Sequence, residues 1–90
     1  MELLFIKNIY PILGWIGTLS YLLAYFLLSI NKLKANQVLY HVMNILGAIG
    51  LTANAIYYAD FPNIVVNLAW GFIALVAIIV LSRKKKKTPN

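Results

Sequence analysis

The sequence predicts an all-α membrane protein of three transmembrane helices, and two observations carry that prediction. Of the 90 residues, 62% are hydrophobic and only 11% are charged, which is far from the balance of a small soluble domain. The apolar residues form three long runs between short polar stretches, and so short a soluble chain could not bury three such runs. We therefore expect one membrane domain, with the lipid bilayer as its first partner.

The first predicted span covers residues 10–30. Pro11 suits the first turn of a helix, because its missing N–H does no harm there. Roughly 20 residues at about 1.5 Å each cross the ~30 Å hydrocarbon core. Residues 1–8 are expected to form a short leader at the interface. We do not expect a cleavable signal peptide, because the leader has no clear positive region and no small-residue cleavage site follows the first run.

The second span is predicted over residues 37–58 and the third over residues 63–82. Two lysines and two asparagines in residues 31–36 form the loop before the second span. Pro62 disfavours helical geometry at Phe61, and Asn63 can begin the third helix. Residues 83–90 follow as a basic tail, which we expect to be disordered.

The distribution of charge predicts an orientation. The loop after the first span and the tail carry seven of the eight cations, and they lie on the same side of a three-span protein. By the positive-inside rule that side is the cytoplasm, so the N-terminus lies outside and the C-terminus inside. The outer side receives Glu2, Lys7 and Asp60. Aromatic residues near the span ends fit interface anchors: Tyr10, Trp15, Tyr40, Tyr57 and Tyr58.

The chemistry of the side chains argues against several functions. There is no cysteine, and the chain has one histidine and two acids, which leaves little for catalysis or for holding a metal. We therefore expect no enzyme, no cofactor and no metal site. The basic run directly after a span indicates topology and anionic-lipid contact rather than nucleic-acid binding.

Each span has one face with amides, hydroxyls or small residues and another face of large apolar residues. On a helical wheel the polar faces comprise Gly14, Thr18, Tyr21, Tyr25 and Ser29 on the first span; Tyr40, Asn44, Gly47, Leu51, Asn54 and Tyr58 on the second; and Asn63, Asn67, Trp70 and Ala74 on the third. Lipid is expected to contact the apolar faces.

Asparagines inside the spans are the most informative of these residues. An unpaired buried amide costs roughly 2–7 kcal/mol, so each one needs a partner. Asn54 and Asn67 both lie about 6 Å inside the outer boundary, so we expect them to face one another or one cavity. Asn44 has no obvious partner, and His41 or a second copy of the chain could supply one. On this reasoning the partner that costs the amides least free energy is a second copy of the chain, with a water-filled interface between the two copies.

Every one of these features also has a purely structural interpretation. The asparagines either line a solute path or join helices, where such pairs contribute only about 0.6–2 kcal/mol. Trp70 either packs or stacks on a solute. The pairs Gly14/Gly17 and Gly47/Gly50 predict close helix packing, with a hinge as the alternative. His41 is interpreted as an interfacial hydrogen-bonding residue rather than a proton relay.

The order of elements resembles a known family. A Gly-bearing first helix, a basic loop, a second helix ending near a Tyr, an Asp-x-Pro turn and an Asn seven residues after the Asp are similar to the bacterial SemiSWEET sugar transporters of the PQ-loop and SWEET superfamily. The match covers about residues 16–80, and Asp60, Pro62 and Asn67 fall on the family's pattern. The resemblance implies a parallel homodimer with a solute pocket on its two-fold axis, alternating access, a bacterial inner membrane, and substrate contact by Asn67.

Two departures separate the chain from that pattern. The Trp of the family's second helix would fall at Asn54, and the Pro-Gln pair near the end of the first helix is missing from residues 26–31. Without that proline the family's hinge does not carry over. The chain also resembles a family of small, functionally uncharacterised bacterial three-helix membrane proteins with the same layout.

Together these observations predict a homodimeric facilitator of a small neutral solute, a sugar or polyol. No ionisable residue lies deep in a span, which argues against coupling to protons or sodium through carboxylates. The predicted substrate-binding residues are Asn67, Asn54, Trp70, Tyr21, Tyr25 and Asn44. The alternative is a membrane scaffold or accessory subunit that transports nothing, in which the polar faces hold helices together.

Overall fold

The computed structural model describes residues 2–87, which form three α-helices joined by short turns. Helix α1 is Glu2–Ser29, α2 is Val38–Tyr57 and α3 is Phe61–Lys87. Each helix is long and apolar enough to cross a membrane. The predicted fold class, all-α with three transmembrane helices, is confirmed, and the chain is an integral membrane protein.

Helix α2 is the centre of the bundle. It packs against α1 on one side and α3 on the other, whereas no Cα atom of α1 lies within 8 Å of one of α3 in the part of the chain described. The helices form an elongated body of 55 × 24 × 24 Å. A gap therefore remains between α1 and α3, with α2 as its floor.

The contact between α1 and α2 depends on glycine. A Cβ atom added at Gly17 would lie 2.7 Å from the Gly47 carbonyl oxygen, and one at Gly50 would lie 2.5 Å from the Leu13 carbonyl oxygen. Neither backbone carbonyl can move aside without moving its helix. Small residues let membrane helices approach to backbone contact, which maximises dispersion between them. The close-packing role predicted for these glycines is confirmed.

Both of the first two helices end in a left-handed residue that turns the chain. Asn31 has φ 63° and Ala59 has φ 54°. After α2, the Ala59 amide donates to the Ile56 carbonyl and the Asp60 amide to the Ala55 carbonyl, the paired bonds of a Schellman motif. The Asp60 carbonyl then accepts from the Ile64 amide, so Asp60 sits immediately before α3 at its N-terminus.

The helices extend beyond the predicted spans at three places. Helix α3 begins at Phe61 rather than Asn63, with Pro62 in its first turn, where the missing N–H does no harm. Helix α1 begins at Glu2 and passes through Pro11, so the expected start of the first helix at residue 10, with Pro11 in its first turn, is wrong. Proline at that position removes the bond to the Lys7 carbonyl, and the apolar residues before it continue the same helix. The interfacial position of the leader stays a prediction. At the other end, α3 runs to Lys87 instead of ending at Ser82. Lysine and arginine are good helix formers and are favoured near a helix C-terminus. The last tail residues, 88–90, lie outside the described part.

The basic end of α3 projects past α2. A Cβ added at Gly71 would lie 3.0 Å from the Ala48 Cβ. Gly71 and Ala48 therefore lie at the same height along the two antiparallel helices. Since α2 begins ten residues before Ala48, the last six residues of α3 extend about 9 Å beyond it at the helical rise. The basic run therefore continues the line of the span rather than folding back.

Candidate functional site

The gap between α1 and α3 forms a groove of about 340 Å³, which we call the aromatic groove. All three helices contribute to it. It is lined by Tyr21, Tyr25, Tyr40, Asn44, Val66, Asn67 and Trp70. Five of the six predicted substrate-binding residues are in this set, and Asn54 is not. The wheel-based prediction thus brings most of its residues to one place, while their role in binding stays a prediction.

Tyr21 crosses the groove from α1 to α3. Its ring lies against the α2 backbone at Gly47, where an added Cβ would be only 2.5 Å from the ring atom Cδ1. The absence of a side chain at Gly47 gives the ring room to reach past α2. The Tyr21 hydroxyl then donates a hydrogen bond of 2.9 Å to Asn67 Oδ1. One side chain therefore links two helices whose backbones stay apart.

Asn67 is the buried polar centre of the groove, with 4% of its surface exposed. Its Nδ2 donates to the Asn63 carbonyl at 3.0 Å and to Asn63 Oδ1 at 2.9 Å. Asn63 Nδ2 in turn donates to Asp60 Oδ2 at 3.1 Å. We call this series of hydrogen-bonded side chains, Tyr21–Asn67–Asn63–Asp60, the amide relay. It runs from the middle of the bundle to the turn between α2 and α3.

The hydrogen bonds of the relay show that a buried amide can be satisfied within one chain. Residues four apart on a helix lie on the same face, so Asn63 can satisfy Asn67 within one chain. Among the described residues, no buried side-chain nitrogen or oxygen lacks a hydrogen-bond partner. The expectation that these amides require a second copy is therefore wrong. A dimer has to be argued from the open groove instead.

Asn44 lies farther along the groove floor and is 7% exposed. Its Nδ2 donates to the Tyr40 carbonyl at 2.9 Å, one turn earlier on the same helix. Within one chain the partner is therefore this helix carbonyl and not His41, while contact of Asn44 with a second copy stays a prediction. His41 Nε2 lies 2.7 Å from the Ala35 carbonyl in the loop. A carbonyl only accepts, so that nitrogen carries the proton and His41 makes a hydrogen bond as expected, while its position at the membrane interface stays a prediction.

Asn54 lies in a different groove, between α1 and α2. Its Nδ2 donates to the Tyr10 carbonyl at 2.8 Å and lies where a Cβ of Gly14 would be, 2.6 Å away. That groove, of about 270 Å³, is lined by Pro11, Gly14, Trp15, Thr18, Leu51 and Asn54 and by no residue of α3. The expectation that Asn54 shares a cavity with Asn67 is wrong. The glycine contact turns this part of α2 toward α1.

Two aromatic rings border the mouth of the aromatic groove. Tyr25 is 68% exposed and Trp70 is 52% exposed, although both lie within apolar spans. Tyr40 lines the groove as well. It lies on the polar face of α2 on the helical wheel but is not among the six predicted binding residues. Its position at i−4 from Asn44 was the signal that could have added it.

A larger groove between α2 and α3, about 460 Å³, is almost entirely apolar. Small residues such as Ala48, Ala53 and Gly71 create it, and Asn67 reaches its edge. In a bilayer such a surface is matched by acyl chains or apolar side chains, so it offers a polar solute little. For that reason we take the smaller aromatic groove as the candidate site. No group of three His, Cys, Asp or Glu that could hold a metal occurs within the described residues.

Three apolar helices around a groove of tyrosines, one tryptophan, one valine and two asparagines define a small integral membrane protein with an aromatic groove between its spans. A protein-family profile matches residues 10–86, and the chain belongs to that family, which is functionally uncharacterised. Neither the curated proteins nor the solved structures contain a match to the chain. The resemblance to SemiSWEET transporters therefore rests on the sequence motifs and stays a prediction.

Proposed function

We propose that this protein is a facilitator that passes a small neutral solute, a sugar or polyol, through a homodimer by alternating access. The observation that carries the proposal is the convergence of two buried amides and four aromatic side chains on one groove inside the spans. Amides and hydroxyls can exchange hydrogen bonds with solute hydroxyls, and aromatic rings can cover the C–H faces of a sugar. The volume of about 340 Å³ falls within the range of about 300–1,000 Å³ usual for small-molecule sites.

The groove of one chain is open between α1 and α3, and this supports a second copy. A polar solute in an open groove would face hydrocarbon, which disfavours it strongly. A parallel copy packed over α1 and α3 would cover Tyr25 and Trp70 and close the path. The groove lining contains no Asp, Glu, Lys or Arg, so we propose downhill transport without ion coupling.

We also propose that the protein lies in a bacterial inner membrane with its N-terminus outside. Seven of the eight cations belong to the α1–α2 turn and the end of α3, which lie at one end of the bundle. Both acids, Glu2 and Asp60, belong to the opposite end.

Flux through reconstituted protein tests the proposal. Purified chain in liposomes is assayed for entry of radiolabelled glucose, ribitol and glycerol, beside protein-free liposomes. We expect saturable entry of at least one solute, and loss of that entry in Asn67→Leu. Asn54→Leu is the matched control, because it removes the same amide from the other groove and is expected to keep flux. Absence of flux from intact dimers contradicts the proposal.

The scaffold or accessory subunit remains as a second candidate, and one observation favours it. The buried amides are already satisfied within the chain, as expected for residues that only join helices. In that case Asn67→Leu lowers the stability of the bundle or of its complex and changes no flux. A structure of two copies in lipid with a tightly packed, water-free interface would favour this candidate over transport.

A further inference from the structure

The two asparagine amides of the amide relay can each adopt only one orientation. In each case the Nδ2 atom faces an oxygen that can accept a hydrogen bond but cannot donate one. Asn67 Nδ2 meets the Asn63 backbone carbonyl at 3.0 Å, and Asn63 Nδ2 meets the Asp60 carboxylate at 3.1 Å. A carbonyl and a carboxylate offer lone pairs only. Neither amide can therefore flip without placing its own oxygen against another oxygen. Both amides are held with nitrogen toward Asp60 and oxygen toward the groove.

This direction determines what the relay offers to the groove. Both hydrogens of Asn67 Nδ2 are used, one on the Asn63 carbonyl and one on Asn63 Oδ1. Asn67 Oδ1 faces Tyr21, which has to supply the hydrogen of their shared bond. The Tyr21 oxygen and Asn67 Oδ1 then retain lone pairs and no hydrogen. At the Tyr21–Asn67 pair the aromatic groove therefore presents acceptors and no donor, whereas Asn44, farther along the floor, donates to the Tyr40 carbonyl and has a second hydrogen on Nδ2.

We propose that this acceptor-only pair selects solutes by their hydrogen-bond donors, so that a solute binds through hydroxyl hydrogens at Tyr21 and Asn67. The inference rests on the proposed solute-binding role of the groove and names a rule for its substrate. A solute group that only accepts, such as an ether oxygen or fluorine, meets lone pairs there and is repelled. Asp60 holds the Asn63 side chain at the turn, and neither residue lines the groove.

Replacing hydroxyls with fluorine tests the rule directly, because C–F has nearly the size of C–O–H and cannot donate. The chain has two tryptophans, so Trp15→Phe leaves Trp70 in the groove as the sole tryptophan. Fluorescence of Trp70 in lipid nanodiscs is titrated with glucose and with its 2-, 3-, 4- and 6-deoxyfluoro derivatives. At least one derivative is expected to bind about tenfold more weakly than glucose, because it leaves a buried acceptor unpaired.

Substitutions in and near the amide relay test whether its residues cause the preference for hydroxyl over fluorine. All are made in the Trp15→Phe chain. The ratio to compare is the affinity for glucose divided by the affinity for the deoxyfluoro derivative. Asn67→Leu is expected to bring this ratio to one, and Asn54→Leu to leave it unchanged. Asp60→Asn changes an exposed residue without disturbing the core. We expect it to leave the ratio within about twofold, because the Asn63 backbone carbonyl still holds Asn67 Nδ2 away from the groove. Loss of the ratio in Asp60→Asn would overturn the assignment of the preference to the Tyr21–Asn67 pair.

The outcomes separate this inference from the proposed function. Glucose binding with equal affinity for every fluoro derivative overturns the donor rule and leaves the facilitator standing. A donor preference without flux supports the rule and overturns the facilitator. If the protein neither binds nor passes glucose, ribitol or glycerol, both fail together.

Discussion

The Tyr21 hydroxyl donates a 2.9 Å hydrogen bond to Asn67 Oδ1 and joins α1 to α3 across a gap that no pair of Cα atoms closes to 8 Å in the described chain. Both outer helices pack against α2. The bond therefore ties α1 to α3 directly and fixes the polar lining between them. Its removal is the most direct test of how the aromatic groove is built.

Tyr21→Phe is expected to destabilise the bundle by about 1–2 kcal/mol. The substitution leaves Asn67 Oδ1 buried without a donor, while the ring keeps its packing on Gly47. Unfolding of the purified protein by increasing SDS in mixed micelles measures the change. A double-mutant cycle with Asn67→Leu is expected to give a coupling of about 0.6–1.7 kcal/mol, the range known for such bonds in membranes. Tyr25→Phe, at an exposed hydroxyl, is the control, and equal stability of both variants would contradict the prediction.

Two glycine substitutions are expected to differ sharply. Gly17→Ala brings a methyl group to 2.7 Å from the Gly47 carbonyl and 2.9 Å from the Leu51 nitrogen, so α1 and α2 must separate. Gly71→Ala meets only the Ala48 methyl group at 3.0 Å, which a small shift relieves. We expect Gly17→Ala to lose at least about 2 kcal/mol and Gly71→Ala less than half of that. The same SDS titration compares them, and a Gly17→Ala chain as stable as the parent would refute backbone contact at the seam.

Ala59→Gly is expected to stabilise the protein. Ala59 has φ 54°, a conformation that costs an L-residue about 1 kcal/mol and costs glycine almost nothing. Because glycine also gains freedom in the unfolded chain, the net gain should be roughly 0.5 kcal/mol. Ala59→Val is the contrasting variant and should be less stable than the parent. If valine is tolerated as well as glycine, the turn before Asp60 does not have this geometry.

The proposed orientation can be tested because the natural chain has no cysteine. Single cysteines at Ala35, in the turn between α1 and α2, and at Glu2, at the start of α1, report opposite ends of the bundle. In intact bacteria a membrane-impermeant maleimide is expected to label Glu2→Cys and spare Ala35→Cys. After lysis both should react. Labelling of Ala35→Cys in intact cells would reverse the orientation.

Local composition was enough to predict the three helices. A helix that crosses hydrocarbon needs a run of about 20 apolar residues, and such a run is visible without knowing its neighbours. Pro62 and the asparagines of the first loop also acted locally, so the turns were predicted within two residues. The start of α1 and the end of α3 were missed because the residues that flank the predicted spans continue a helix that the apolar run has already nucleated.

The sequence alone determined which side chains share a face, because the 100° step of a helix depends only on spacing. It did not determine which neighbour each face meets. Asn54 and Asn67 stood at equal depth, yet the backbone contact of Gly17 with Gly47 turned Asn54 toward the Tyr10 carbonyl and left Asn67 to Tyr21. The rotation of one helix against another depends on packing between distant residues, and only the tertiary structure decided it.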